Sequence, residues 1–346
     1  MSTRSESLPK TLSARTIASE RGRLLVGLVG LLVVVFLFSL LIGRYPQPGL
    51  LSFEQLAEDE LARSLLLNLR LPRVLAAAVL GMSLAAAGAV FQMIFGNPLV
   101  EPGFLGVSQG AAFGAAASII LISNSAVAVQ IGATVCAFIG LGLSYGVARR
   151  VRFGGWVLRL LLAGIAVSAL FSAGLGLLKY LADPLSQLPE ITFWMLGGLW
   201  SITWQRLASV LLLVLAGLLV MYRMRWRLNL LSLGDETAHS LGISPAQERV
   251  LVLTAATAAT AAVISIAGIV GWIGLIVPHI ARRLFGADAR FALPGALLIG
   301  GSFTMLCDNL ARTLLPGEIP LGIITSLLGA ALFMGLMMTQ KVRVRQ

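Results

Sequence analysis

The chain has 346 residues, 58% apolar and 12% charged, with a mean hydropathy of +0.91 and a formal net charge of +11. Soluble domains carry about 25% charged residues, so this composition excludes a soluble enzyme, a disordered chain and a secreted disulfide scaffold. About 200 apolar residues, at about 20 per crossing, suffice for about ten transmembrane helices, and runs such as LLVGLVGLLVVVFLFSLLIG lack the alternation a transmembrane β-barrel requires.

Arg15, Arg21 and Arg23 precede a first apolar segment at 24–42. It is longer than a signal-peptide core and no small-x-small cleavage site follows, so it is expected to stay as the first span behind a cytoplasmic tail of residues 1–23. Nine further segments follow at 71–95, 103–122, 127–147, 157–181, 207–224, 250–267, 269–284, 293–312 and 319–339. NPLVEPG interrupts the apolar pattern between the second and third, and 250–284 also reads as one long helix with a break. The longest links, 43–66, 182–206 and 225–249, are too short for a soluble domain. Residues 24–340 therefore form one membrane domain, followed by a basic tail at 341–346.

Charge orients the chain. With the N-terminus in the cytoplasm and ten crossings, 19 of the 26 Lys and Arg residues fall inside. Arg44, Arg63, Arg70, Arg73, Lys179, Arg206 and Arg312 are left outside, and both termini are expected in the cytoplasm. Since the basic residues sit between apolar runs, the net charge points to anionic lipid and not to nucleic acid. Stretches such as GMSLAAAGAVF and TAATAATAAV suit close helix packing. AAAGAVFQMIFGNP (85–98) weakly echoes SIAGIVGWIGLIVP (265–278), which leaves both chance and an inverted repeat open.

Few side chains could do chemistry. His239 and His279 are the two histidines, Cys136 and Cys307 the two cysteines, and neither pair has metal-ligand spacing. HExxH, GxSxG and the G-x-x-x-x-G-K-[ST] loop are missing from the sequence, so no catalytic residue, metal site or cofactor is expected and the chain carries no P-loop ATPase of its own. Asp308 lies within an apolar run, four residues before Arg312, and reads as a helix ion pair more readily than as a proton relay. In the 225–249 link, Gly234, Asp235 and Glu236 open a short helix that Gly242 ends. Leu233, Ala238 and Leu241 are expected to share its apolar side, which could rest on lipid or dock a soluble partner.

Four stretches, taken together, resemble the permease subunits of the iron-siderophore and cobalamin ABC importers, the FecCD or BtuC-like family. They are LRLPRVLAAAVLGMSLAAAGAVFQMIFGNPLVEPGFLGVSQGAAFGA (69–115), LRLLLAGIAVSALFSA (158–173), LNLLSLGDETAHSLGI (228–243), and GWIGLIVPHIARRLFGADARFALPGALLIGG with DNLARTLLPGEIPLGIITSLLGA inside 271–330. The resemblance implies an all-α, ten-span permease of the type II ABC importer fold. It pairs with a second copy or a related permease, rests on two ATPase subunits and receives cargo from a periplasmic substrate-binding protein. It implies that Arg70, Arg73 and Arg312 grip glutamates of that binding protein. Charge reversal there is then expected to weaken docking and leave the bundle folded. It also implies that Leu233, Gly234, Asp235, Glu236, Ala238, Leu241 and Gly242 form the coupling helix seated in the ATPase. The cargo it points to first is a ferric siderophore, with heme, cobalamin and molybdate as alternatives; a self-sufficient carrier is the remote one. The link ARRVRFGGWVLRLLLAG departs from the cobalamin-type pattern at Phe153, Gly154, Gly155 and Trp156, so no gate residues are carried over.

Overall fold

The computed structural model of the chain describes residues 14–45 and 49–339, so the basic tail at 341–346 and Arg4 and Lys10 lie outside the described residues. The helices are α1 (Ala14–Leu41), α2 (Phe53–Glu58), α3 (Glu60–Leu65), α4 (Leu71–Phe95), α5 (Val107–Leu121), α6 (Ala126–Arg150), α7 (Trp156–Leu181) and α8 (Gln187–Leu196). They continue with α9 (Trp204–Arg223), α10 (Arg225–Leu231), α11 (Asp235–Ser240), α12 (Pro245–Ala267), α13 (Ile273–Phe285), α14 (Ala289–Thr313) and α15 (Leu321–Thr339). A two-residue antiparallel hairpin, β1 (Ile42–Gly43) with β2 (Gly49–Leu50), follows α1.

Among the described residues, eight helices are long and apolar enough to cross a membrane. They account for eight of the ten expected segments. The other two are shorter than expected: α5 has 15 residues and α13 has 13, or about 20 Å each at 1.5 Å per residue. Their missing first turns are replaced by irregular backbone with one 3-10 turn, Pro102–Leu105, in 96–106 and by irregular backbone in 268–272, where Gly106 has φ 77°, Gly268 φ 69° and Trp272 φ 71°. Irregular backbone at membrane depth survives where its polar groups are satisfied by protein. Here Gln92 donates to the carbonyls of Gly274 (3.2 Å) and Leu275 (3.1 Å), Ser144 to that of Leu105 (2.9 Å), and the Gly198 amide to that of Ala267 (2.7 Å).

The first and second spans both begin earlier than expected. Helix α1 starts at Ala14, so residues 14–23 of the expected tail are helical. The second span runs unbroken from Glu60 to Phe95. Pro72 has no N–H, so the backbone widens to a π-turn over Leu66–Arg70, with the Leu71 amide reaching the Leu66 carbonyl.

α4 and α12 occupy the centre, with 83% and 72% of their apolar windows buried, whereas α1 buries 11% and faces outward. Small residues let the central helices touch. A Cβ at Gly81 would strike the Gly300 carbonyl of α14, and one at Gly88 the Gly274 carbonyl of α13. α4 packs on α13 and α14, and α12 packs on α5 and α6. The order long helix, irregular stretch, short helix, long helix thus occurs twice, once from α4 and once from α12. The sequence echo does not follow this repeat: 85–98 lies almost wholly in α4, whereas 265–278 spans the break between α12 and α13.

Candidate docking sites at the two ends of the bundle

Arg70, Arg73 and Arg312 converge at one end, where α4 begins and α1 and α14 finish. They differ in what they touch. Arg73 lies one turn into α4, directly against α14. Its Nε donates to both oxygens of Asp308 (3.0 and 3.1 Å), its Nη2 to Asp308 Oδ1 (2.9 Å), and its Nη1 to Glu318 Oε1 (2.8 Å). Arg312 is buried and donates to the Ser39 carbonyl and to Asn309 Oδ1 (2.6 Å). The expected i,i+4 pair with Asp308 is present at 3.7 Å, but Arg73 is the closer partner of that carboxylate. Arg70 is half-buried and meets carbonyls alone: Leu40 (3.3 Å), Leu41 (3.2 Å) and Tyr45 (3.0 Å), the exposed end of α1 and the turn after it. A Cβ at Gly43 would occupy the space of the Arg70 guanidinium, so the seat depends on that glycine. Arg73 and Arg312 both meet the enclosed carboxylate of Asp308, which is 1% exposed, so charge reversal at either is expected to disturb the bundle as well as any docking.

Arg44 donates to the Thr313 carbonyl (3.2 Å), tying the first turn after α1 to the end of α14. Nearby, Asp59 caps α3 and accepts from Tyr45 Oη (3.0 Å). Hydrogen bonds from the Ala62 amide first, then from Tyr45, hold the Asp59 carboxyl below its ordinary range.

The opposite end carries α10 and α11. Helix α11 is six residues long, opened by Gly234 at φ 98° and closed by Gly242 at φ 80°. The Ile243 amide reaches the Ala238 carbonyl (3.1 Å) and the Gly242 amide the His239 carbonyl (3.0 Å). That crossed pair is the Schellman stop, which requires a left-handed residue where Gly242 stands. Ala238 is fully buried and Ile243 is buried beside it, while Leu233 and Leu241 are 57% and 55% exposed. The expected common apolar side of Leu233, Ala238 and Leu241 is therefore corrected. Six residues give less than two turns, and the two glycines turn the chain away at each end. Ala238 anchors the helix inward, and Leu233, Gly234, Asp235, Glu236, Leu241 and Gly242 are presented to solvent.

Residues that the sequence reading passed over tie this end to the bundle. Asp288 caps α14; it accepts from Asn229 Nδ2 (2.8 Å), and Asn229 Oδ1 accepts from the Ala289 amide (2.8 Å). Arg290, hydrogen-bonded to Asp288, is the main reason that carboxyl is held down at about 2. Arg249, 6% exposed, pairs with Asp235 at 2.5 Å and lies over the Trp156 ring at 5.3 Å. Arg227 pairs with Glu248. Helix α11 is thus fixed through Arg249 to the starts of α12 and α7, and through α10 to α14. Trp156 itself belongs to an aromatic cluster with Tyr145 (6.2 Å) and Phe95 (6.4 Å). That gives a packing role to the link whose residues depart from the cobalamin-type pattern.

No cluster of His, Cys, Asp and Glu able to hold a metal occurs among the described residues. The bundle offers two polar ends joined by helices. The profile of the FecCD transport family matches residues 31–339. The chain belongs to the FecCD transport family. Its members are permease subunits of ABC transporters, which are not themselves enzymes. Relatives include the hemin transport system permease protein HmuU of Yersinia pestis, 39% identical over 92% of this chain and 96% of that one. The molybdate import system permease protein MolB of Haemophilus influenzae is 37% identical over 90% and 94%. A solved ABC transporter described as inward-facing and of metal-chelate type superposes with a TM-score of 0.86, at 37% identity, covering 92% of this chain and all of that one. The FecCD chain is accordingly a multi-pass membrane permease of the importer class.

Proposed function

We propose that this FecCD permease carries a metal chelate, a ferric siderophore in the first instance, from a periplasmic binding protein into the cytoplasm by alternating access. The observation that carries the reading is the difference between the ends. One presents a small exposed helix with two leucines and two acids, rigidly tied to α7, α12 and α14. The other presents arginines over a buried ion-pair network. Two ATPase subunits are assigned to the α11 end, which places both chain termini on the cytoplasmic side. The binding protein is assigned to the end with Arg70, Arg73 and Arg312. Of these, Arg70, which has only carbonyl partners, makes the direct contact, and Arg73 and Arg312 build the platform beneath it. A fork of N–H donors suits a glutamate on the incoming protein. Two copies, or this chain with a related permease, enclose the path.

ATP binding would draw the ATPase subunits together and move α11. Nucleotide shifts the bundle to the extent that it binds one global state better than the other. Heme, cobalamin and molybdate are alternative cargoes of the same architecture. The test is uptake by proteoliposomes containing the chain with and without its ATPase subunits, together with mass spectrometry of the ligand eluted from the binding protein. Uptake that proceeds without any ATPase subunit would overturn the reading.

A further inference from the structure

The junction of the two broken helices holds a carboxyl that neither docking end uses. Glu101 lies in the irregular stretch before α5, across from Gly274 in the first turn of α13; a Cβ on Gly274 would sit 3.8 Å from that of Glu101. Gly274 in turn packs on the middle of α4, so Glu101 stands near mid-depth in the bundle. It borders two cavities. One, of about 610 Å3, is bounded by Trp272 and α15; the other, of about 400 Å3, by α5, α7 and α12. Both include Ile269 and Gly271 in their walls, so Glu101 stands where they adjoin.

Among the described residues no cation or hydrogen-bond donor is paired with the Glu101 carboxyl, and no Lys, Arg or His lines either cavity. The smaller cavity is roomy enough to hold water. Thr260, 1% exposed, and Ser168 stand in its wall, and their buried hydroxyls have no partner among the described residues. Carboxyls inside a membrane protein are costly, and they are kept where they pair or where they serve a path. Glu101 does not pair.

Trp272 is the one non-glycine residue among those described with positive φ. A bulky side chain rarely adopts that backbone, and such strain gathers at functional sites. The indole lines the larger cavity together with Glu101, with its ring 6.2 Å from that of Phe333. A carboxyl and an indole lining one cavity, with no Lys, Arg or His in its wall, are the chemistry that receives positive charge and N–H or O–H donors.

We propose that Glu101 and Trp272 form a cargo-contact site midway along the translocation path, selecting an organic chelate that presents donors or positive charge over an inorganic oxyanion. This inference rests on the importer reading above and narrows its cargo.

The test uses the full transporter, with its ATPase and binding protein, in proteoliposomes. Uptake of an iron-labelled hydroxamate chelate bearing amide N–H groups, and of molybdate, is measured per ATP hydrolysed. In the wild type the chelate is taken up and molybdate is not. Glu101→Gln lowers chelate uptake per ATP about tenfold, the loss of one hydrogen bond to a charged group, and Glu101→Asp restores most of it. Thr260→Val lowers it about threefold, the loss of one neutral hydrogen bond. The proposal is overturned if the wild type takes up molybdate in preference to the chelate, or if Glu101→Gln and Thr260→Val both transport normally. It is also overturned if Glu101→Gln and Glu101→Asp fail equally and both melt early, which marks a structural role. No uptake of either probe overturns the proposed choice of cargo, and ATP-independent uptake by the wild type instead overturns the importer reading.

Discussion

Replacing Arg73 separates a residue that holds the fold from one that meets a partner. Its guanidinium gives Asp308 three N–H contacts at 2.9 to 3.1 Å, and Asp308 is 1% exposed. Arg73→Gln leaves that carboxylate facing only Arg312, whose Nε is 3.7 Å away. Breaking a buried pair by removing one partner costs about 3–5 kcal/mol, and the remaining arginine places the expected loss near the lower end. Arg73→Glu adds a third carboxylate beside Asp308 and Glu318. Like charges at about 4 Å and an effective dielectric near 20 repel by about 4 kcal/mol. Together these terms reach about 7 kcal/mol, comparable with the whole stability of an ordinary domain. The double variant Arg73→Gln with Asp308→Asn removes both charges and is expected to return within about 1–2 kcal/mol of wild type. Thermal and denaturant unfolding of the purified chain in detergent reads all three. Wild-type unfolding by Arg73→Glu, or a double variant no better than Arg73→Gln, would refute the reasoning.

Arg70→Glu is expected to weaken binding-protein affinity at least about tenfold while changing unfolding far less than Arg73→Glu; surface plasmon resonance on nanodiscs measures it, and unchanged affinity would falsify the assignment of Arg70. Gly242→Val forces a β-branched residue to φ 80° and removes the Schellman stop, so ATP hydrolysis should continue with transport lost; coupled turnover at the normal ratio would sink the coupling role of α11. Gly300→Leu drives side-chain atoms into the Gly81 backbone and should destabilise the α4–α14 contact by about 1–3 kcal/mol or more, read as a lower melting temperature with both docking ends chemically unaltered. Asp288, held down at about 2, gives the α10–α14 contact a stability that is present above about pH 4 and lost as pH falls through about 2. Asp288→Asn should abolish that acid dependence in hydrogen exchange at Asn229 and Ala289; an unaltered pH profile would contradict it.

The apolar runs and the basic residues between them located every crossing helix, because twenty apolar residues have few alternatives in a membrane. Composition did not show where helices stop. The break before α5 was marked by NPLVEPG, but the one before α13 contains Ile269 and Val270, as apolar as the helices it interrupts, and only Gly268 and Gly271 mark it. The cap Asp288 and the Gly242 stop follow from local rules, and Gly242 was read from them. Partners far apart in the chain were not readable. Arg312 is four residues from Asp308 and was paired with it, yet Arg73, distant in sequence, holds that carboxylate more closely. Ala238 and Leu241 have suitable spacing for one face, but burial by α12 separates them, and a six-residue helix is too short for periodicity to decide.

Helix α14 joins the two ends of the bundle. Asp288, clamped by Asn229, stands at its start, and Asp308 and Arg312 stand near its end. The stretch between the two aspartates spans about 30 Å, so one helix, with Pro294 inside it, carries an anchor for each of the two proposed docking surfaces. A shift imposed by the ATPase side would arrive at the arginine platform without passing through a loop. Linkage then makes the traffic two-way: whatever free energy nucleotide applies to the grip on the binding protein, the binding protein returns in equal measure to the nucleotide.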